Sequence, residues 1–170
     1  ALLADQNITV GQVATSNTGT TAVTLTTREG GIVDGGDTAG SDVIASGRLV
    51  IDAVTGVGNG GAIETTVASV DIDNATSGNI EISETNAVTV PKILNGAAAN
   101  SSTGNVVMTA GGTITVESNG IAAAGGATIT LDANGAASDL LINGDLLTVG
   151  GAITLTADND VIFQADGDIA

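Results

Sequence analysis

The stretch that decides the fold is Gly151-Ala152-Ile153-Thr154-Leu155-Thr156-Ala157-Asp158-Asn159-Asp160-Val161, in which apolar and polar residues alternate before an Asp/Asn turn. Strict alternation over a short run indicates a β-strand with one face in a core, because successive side chains point to opposite sides. A glycine opens the run and short polar residues close it, which is typical of strands joined by tight turns.

Runs of this kind recur along the chain. Those of a first set begin at Val23, Leu49, Ile80, Val106, Ile129 and Ile153, and these five intervals cover 130 positions, a mean of 26 residues. A fixed period of about 20–50 residues indicates a repeat architecture. The longest interval, between Leu49 and Ile80, holds an extra alternating run at 70–73.

Two further sets complete each repeat. The second follows the first by 8 to 11 residues, with runs that begin at 88, 114, 140 and 161, and a third, weaker set includes 93–94 and 146–149. Three short strands per repeat predict an all-β fold, a three-sided parallel β-solenoid of about six coils of about 26 residues. Residues 1–170 are then one solenoid segment, expected to belong to a longer repeat protein or filament.

The alternation also predicts a register. Odd positions of each run should face inward, and equivalent residues of successive coils should stack at the strand spacing of about 4.8 Å. The predicted columns run through Val23 and Leu25, Leu49 and Ile51, Ile80 and Ile82, Val106 and Met108, Ile129 and Leu131, and Ile153 and Leu155.

Glycine occurs in two recurrent patterns around the runs. The pattern Gly-x-apolar-x-apolar begins at Gly47, Gly78, Gly104, Gly112 and Gly151, and we expect a positive φ there to turn the corner between faces. Asn-Gly occurs five times. Because Asn-Gly also favours two-residue hairpins, an antiparallel sandwich is the alternative fold. A common repeat period and a core without large aromatic rings favour the solenoid.

Composition restricts the chemistry. The chain has no His, Cys, Trp or Tyr, one Phe and one Lys. A Ser nucleophile would lack its usual base, and paired carboxylates that cleave glycosides would lack aromatic platforms for sugar rings. No long run has helical periodicity, and the Ala-rich segments 97–99 and 122–124 are predicted to be corners or loops. We therefore expect a protein that is not an enzyme and needs no cofactor.

Charge restricts the partners. The formal net charge is −16, with only Arg28, Arg48 and Lys92 as basic residues. Such a chain should be repelled by nucleic acid and by anionic membrane surfaces. No apolar run approaches the ~18 residues that a membrane span needs. The chain begins at Ala1 without an initiator Met, so a processed product or a piece of a longer protein is expected.

The quoted repeats resemble those of filamentous-haemagglutinin-like exoproteins and related giant bacterial adhesins. The resemblance rests on 151–161, on Gly-Gly-Thr-Ile-Thr-Val at 111–116 and on Ser-Gly-Asn-Ile-Glu-Ile at 77–82, and it extends in style over nearly the whole chain. It implies a right-handed parallel β-helix that is secreted to the cell surface or beyond, by a partner transporter or as an autotransporter.

Two acidic clusters are candidate calcium ligands, because Ca²⁺ prefers oxygen donors. The first is Asp34, Asp37 and Asp42 in a Gly-rich loop, and the second is Asp158, Asp160, Asp166 and Asp168. Segment 35–43 resembles the calcium-binding nonapeptide of repeats-in-toxin proteins, but Thr38 stands where a Gly is expected and the unit is not repeated. The alternative is that these are solvated turn carboxylates. We expect weak calcium dependence or none.

Two functions remain open. An extracellular stalk, fibre or surface-layer element would need even coils, whereas an adhesin module that binds a glycan or a receptor would need a long loop or an aromatic patch. The irregular regions 55–69 and 93–104 contain no aromatic residue, which favours the stalk. An ice-binding face would need Thr on every coil, but several outward positions hold Val50, Asp52, Glu81 and Asp132.

Repeat patterning continues to both ends of the sequence. Unpaired strand edges invite further strands, and solenoids need capping repeats to stay soluble. We therefore expect end-to-end contact with another copy or with more of the parent chain, as in a homopolymer. The surplus of negative charge should oppose lateral clumping.

Overall fold

A computed structural model describes residues 1–36, 40–96 and 104–170, which form twenty β-strands and no helix. The strands are β1 (Leu2–Ala4), β2 (Ile8–Val10), β3 (Val13–Thr15), β4 (Val23–Thr27), β5 (Ile32–Asp34), β6 (Val43–Ala45), β7 (Arg48–Ala53), β8 (Val57–Asn59), β9 (Ile63–Thr66), β10 (Ser69–Asn74), β11 (Ile80–Glu84), β12 (Val88–Asn95), β13 (Val106–Ala110), β14 (Ile114–Val116), β15 (Ile121–Ala123), β16 (Ile129–Ala133), β17 (Leu140–Ile142), β18 (Leu146–Thr148), β19 (Ile153–Ala157) and β20 (Val161–Phe163). A helix long and apolar enough to cross a membrane is not found in these residues.

The strands form two stacked parallel sheets. Sheet A contains β1, β4, β7, β10, β12, β14, β15, β17, β18 and β20, and sheet B contains the other ten. Every pairing between described strands is parallel and joins segments about one coil apart. The parallel β-solenoid is confirmed, and the antiparallel alternative is wrong.

A single inward column runs the length of sheet A. Its seven register steps cover the 167 positions from the first member to the last, so a coil has about 24 residues, slightly fewer than the predicted 26. Its six inner members are buried side chains that fill a narrow aliphatic core. The column consists of Leu2, Leu25, Ile51, Ile72, Ile93, Ile121, Leu146 and Ile169.

The predicted register is right except at one step. Leu49 and Ile51 do not stack on Ile80 and Ile82, as predicted, but on the extra run of residues 70–73. The first-set runs that begin at Ile80, Val106, Ile129 and Ile153 belong instead to sheet B, where their predicted stacking on one another holds. The error arose because a strand of either sheet has the same alternation, so spacing alone does not identify the sheet.

The two halves of the solenoid split different sheets. In the N-terminal half sheet A has one strand per coil, while sheet B has two, the pairs β2/β3, β5/β6 and β8/β9. In the C-terminal half sheet B has one strand per coil, and sheet A has the pairs β14/β15 and β17/β18. Each half therefore has three strands per coil, but the corner moves from one sheet to the other, and the two coils at the switch, β10/β11 and β12/β13, have two strands each.

The corner moves at the coils of β10, β11 and β12. The eight-residue strand β12 pairs with β14 through Val88–Val90 and with β15 through Ile93–Asn95. Between these two parts lies Pro91, where the register against β10 shifts. Proline is tolerated at such a bulge because it has no N–H to donate to the ladder.

An asparagine pair satisfies backbone groups at this switch. The Asn74 Nδ2 donates to Asn95 Oδ1 at 2.7 Å, and Asn74 Oδ1 accepts from the Gly56 N–H at 2.8 Å. Asn95 Nδ2 in turn donates to the Gly104 carbonyl at 2.7 Å. Both asparagines are buried, and their neighbours in the column are Ala53 and Ala123. The stack of buried asparagines is thus confined to two coils.

The glycines that open the runs are required for a different reason from the predicted positive φ. Of the five, only Gly78 has a positive φ, of 85°. At Gly47, Gly104, Gly112 and Gly151 a Cβ atom would instead overlap the backbone of the coil before, for example the Ala127 carbonyl in the case of Gly151. These positions need glycine because successive coils approach closely at the corner.

Candidate functional site

Three carboxylates meet at the sheet B corner of the N-terminal half. One oxygen each from Asp34, Asp42 and Glu64 lies within 4.8 Å of the other two. Asp34 ends β5, Asp42 precedes β6, and Glu64 lies on β9 in the next coil. Asp42 is 1% exposed, and the other two are half-buried.

Local hydrogen bonds orient this cluster. Asp34 Oδ1 accepts from the Gly36 N–H at 2.6 Å, and Asp42 Oδ2 accepts from the Glu64 N–H at 3.3 Å. Gly61 packs so closely on Asp34 Oδ2 that a Cβ atom there would overlap it. Three oxygen donors of this kind could contribute to a divalent-cation site. Asp34 is in this respect an ordinary turn acceptor, whereas Asp42 accepts from a strand of the next coil.

The sequence predicted part of this cluster. Asp34 and Asp42 are brought together, as expected, whereas the predicted Asp37 lies outside the described residues. Glu64 was missed because it comes from the following coil. The available signal was the register itself, since Glu64 occupies the outward position of β9 beside the loop that follows β5.

The predicted C-terminal cluster does not converge. Asp158, Asp160, Asp166 and Asp168 are all exposed, and none joins another group of three carboxylates within residues 104–170. Asp158 Oδ2 accepts from the Gly135 N–H at 2.7 Å, and Asp168 Oδ1 accepts from the Ile169 N–H at 2.7 Å. Asp158 therefore accepts from the coil before, and Asp168 accepts within its own turn.

Glu84 is an ionisable group that lies in the core. It occupies an inward position of β11 between Thr65 and Ala110, and it is 3% exposed. Its carboxylate accepts from the Thr65 hydroxyl at 2.7 Å and from the Val67 and Asn86 N–H groups at 3.0 Å. Burial raises the pKa of Glu84 above its ordinary value, and these hydrogen bonds act in the opposite direction.

All three basic side chains are in ion pairs. Arg28 pairs with Asp5 at 2.8 Å near the first coil. On the outer side of sheet A, Lys92 pairs with Asp73 at 2.6 Å, and this contact raises the pKa of Lys92. Arg48 lies 3.6 Å from Asp71 on the same face. The other carboxylates of the surface are therefore not balanced by a basic side chain.

A shallow groove lies along β15 and β18 of sheet A in the C-terminal half. It has a volume of about 230 Å³ and is lined by Gly96, Ala122, Ala123, Ala124, Leu147, Thr148 and Val149. Small apolar side chains dominate this lining, and Thr148 supplies its one side-chain hydroxyl. Such a surface offers few of the polar groups and none of the aromatic rings that usually orient a sugar.

The last coil presents core positions to solvent. It consists of β19, β20 and residues 168–170, which continue columns that are buried in the coil before. Val161 and Phe163, for example, align with the buried Leu140 and Ile142 but are 40% and 42% exposed. The apolar residues at such inward positions are Ile153, Leu155, Ala157, Val161, Phe163 and Ile169.

Comparison of the chain with protein-family models, with curated proteins and with solved structures gave no match.

Proposed function

We propose that this chain is a non-catalytic structural segment of an extracellular stalk, fibre or surface layer, which is lengthened along its axis by further coils. The observation that carries the proposal is the inward ladder, in which aliphatic side chains of successive coils stack on one another from Leu2 to Ile169. A stack of this kind can be repeated coil by coil along one axis.

The surface supports a structural role more than a chemical one. The chain lacks His, Cys, Tyr and Trp, and two carboxylates of the Asp34, Asp42 and Glu64 cluster accept hydrogen bonds from backbone N–H groups. A mean coil of about 24 residues leaves short connections between most strands. An even rod with few side groups suited to catalysis fits a spacer that carries other domains away from a surface.

Adhesion to a glycan or a receptor through the solenoid edge is the second candidate. The groove beside Leu147 and Val149 is the feature that favours it, since it is concave and mostly apolar. Its lack of convergent polar groups favours a weak contact over a selective sugar site. A glycan array probed with the labelled chain would detect selective binding, which the stalk proposal does not require.

Localisation is the direct test of the proposal. Antibodies raised against the chain should label intact, unpermeabilised cells of the source organism or fibres shed from them, and external protease should remove the label. Immunogold electron microscopy of the same cells should place the label along filaments or on a surface layer. Labelling that appears only after permeabilisation would overturn the extracellular role.

A further inference from the structure

Five Asn-Gly sequences lie within the described residues, and they differ in how freely the glycine can react. The backbone nitrogen of such a glycine can attack the side-chain carbonyl carbon of the asparagine, because a residue without Cβ leaves the approach open and its backbone rotates easily. This reaction makes asparagine a thermolabile residue. The attack requires the glycine N–H to leave any acceptor to which it is bonded. The five sequences occupy 59–60, 95–96, 119–120, 134–135 and 143–144.

Three of the glycines have an N–H that is held by a hydrogen bond. In each case the bond must break before the nitrogen can attack, so the reaction needs a local opening of the coil. The bonds run from Gly96 to the Asn74 carbonyl at 2.8 Å, from Gly120 to the Glu117 carbonyl at 2.9 Å, and from Gly135 to Asp158 Oδ2 at 2.7 Å. These three sequences are therefore protected.

The fourth glycine, Gly144, is held by packing. Its N–H has no acceptor among the described residues, but Gly144 is buried, and a Cβ atom there would overlap the Glu117 carbonyl of the coil before. Rotation of the backbone at Asn143 and Gly144 would disturb both coils, since the interior is close-packed. Asn143 is therefore protected as well.

Gly60 has neither restraint. It is exposed, and a Cβ atom there would meet no atom within 4 Å. It lies at the centre of a turn in which the Gly61 N–H donates to the Gly58 carbonyl at 3.4 Å, and its own N–H has no acceptor in the part of the chain that the structure describes. Asn59 is also exposed, and its amide donates to the Thr55 carbonyl at 3.2 Å. This bond is long and lies at the surface, so it restrains the side chain weakly.

We infer that Asn59 is a site of spontaneous covalent modification, at which the side-chain amide is lost and aspartate or isoaspartate forms. The Gly60 nitrogen forms a bond to Asn59 Cγ, and the Cγ–Nδ2 bond breaks, so that the amide nitrogen leaves as ammonia with the proton of the Gly60 N–H. Water then opens the cyclic imide that results. Attack of water on one imide carbonyl gives aspartate, and attack on the other gives isoaspartate, in which the backbone continues through the former side chain.

The position of Asn59 lets the folded chain retain both products. Asn59 is the last residue of β8, and the register of β8 against β5 already shifts beside it. The extra backbone methylene of isoaspartate therefore falls where a strand meets a turn, and not inside a regular ladder. Both products add a negative charge near the carboxylate cluster of this corner, since Gly61 of the same turn packs on Asp34 Oδ2.

The test compares the reaction at the five sequences in one sample. The full chain is incubated at mildly alkaline pH, circular dichroism verifies the fold, and peptide mass spectrometry follows the loss of each amide. Methylation by an isoaspartyl methyltransferase quantifies isoaspartate, and a short synthetic peptide of each sequence supplies the rate without the fold. We expect Asn59 to react within about threefold of its peptide, and the other four asparagines to react at least about tenfold more slowly than theirs, because they require local opening.

Asp158→Ala tests the cause of the protection. It removes the acceptor of the Gly135 N–H, and we expect the reaction at Asn134 to accelerate by about threefold or more while that at Asn59 stays unchanged. Asp160→Ala, at a neighbouring exposed aspartate, is the matched control and should leave both rates unchanged. The inference would be overturned if Asn59 in the folded chain were slowed as much as the other four asparagines, or if one of them reacted faster than Asn59. Equal rates at all five would overturn it too, since they would indicate reaction through global unfolding.

Discussion

The N-terminal and C-terminal halves of this solenoid differ in which of the two sheets is split into two strands per coil. Both need three strand segments per coil around a narrow aliphatic core, yet the first half splits sheet B and the second splits sheet A. The sequence alternation is the same in both, for instance in β4 and in β16. The alternation therefore does not decide which sheet is split into two strands per coil. That depends on which strand is interrupted by a turn.

The polar interior marks the place where the two halves meet. Asn74, Asn95, Glu84 and Thr65 are four of the seven buried polar or charged residues in the described chain, and all lie in the coils of β9 to β12. Moving the corner leaves backbone groups without a ladder partner in the next coil. Buried donors and acceptors are costly unless they are paired, so side-chain amides and a carboxylate supply the partners.

The largest effect should come from a charge placed in the shared core at this junction. Ile82→Asp would bury a carboxylate between Ile63 and Met108, where Ile82 is now 1% exposed. We expect a loss of at least about 3 kcal/mol in the free energy of unfolding, or no folding at all. Urea unfolding followed by circular dichroism measures it.

The matched control is the neighbouring outward residue. Glu81→Thr removes a half-buried carboxylate that accepts from Asn79 Nδ2 at 2.7 Å, and it should change the free energy of unfolding by about 0.5 kcal/mol or less. Similar losses for Glu81→Thr and Ile82→Asp would show that the register of β11 is wrong.

A smaller effect is expected from a methyl group at the corner of the C-terminal half. Gly151→Ala would drive a Cβ atom into the backbone at Ala127, and we expect a cost of about 1–3 kcal/mol. Gly11→Ala is the control in the N-terminal half, because a Cβ atom there meets no atom within 4 Å and its φ is not positive. Thermal unfolding compares the two, and equal melting temperatures would contradict close approach as the reason for Gly151.

The pH dependence of stability should show whether the buried Glu84 at the junction titrates. Burial raises the folded-state pKa of Glu84 above its value in the unfolded chain, so protonation favours the folded state. This contribution is present below the unfolded pKa and is lost as pH rises through the folded pKa. Urea unfolding from pH 4 to 7 should therefore show a steeper decrease for the wild type than for Glu84→Gln. Parallel curves for the two proteins would argue against a titrating Glu84.

Removal of calcium should have the smallest effect. The cluster of Asp34, Asp42 and Glu64 belongs to the N-terminal half alone, and the C-terminal aspartates do not converge. A chelator should therefore lower the melting temperature by only a few degrees, a small change by ligand linkage. Differential scanning calorimetry with excess chelator or excess calcium measures it. Loss of the fold on chelation would show that the acidic residues form a structural calcium site.

Much of the fold was accessible from alternation and period alone. The second set of runs at 88, 114, 140 and 161 stacks as predicted, and so do the columns from Ile80 to Ile153. The prediction failed between Leu49 and Ile80, since sheet membership is not encoded in the period of two. For the carboxylate cluster, sequence proximity identified Asp34 and Asp42, but Glu64 depended on register between coils.

The sequence by itself determined that the chain is all-β, built from repeated short strands with an aliphatic interior and few groups suited to catalysis. Those properties follow from local alternation and composition, which need no knowledge of distant contacts. Only the tertiary structure decided which sheet is split in each half, why Gly151 must be glycine, and that the last coil exposes inward positions. These depend on what lies one coil away, about 24 residues along the chain, and on how closely the two backbones pack.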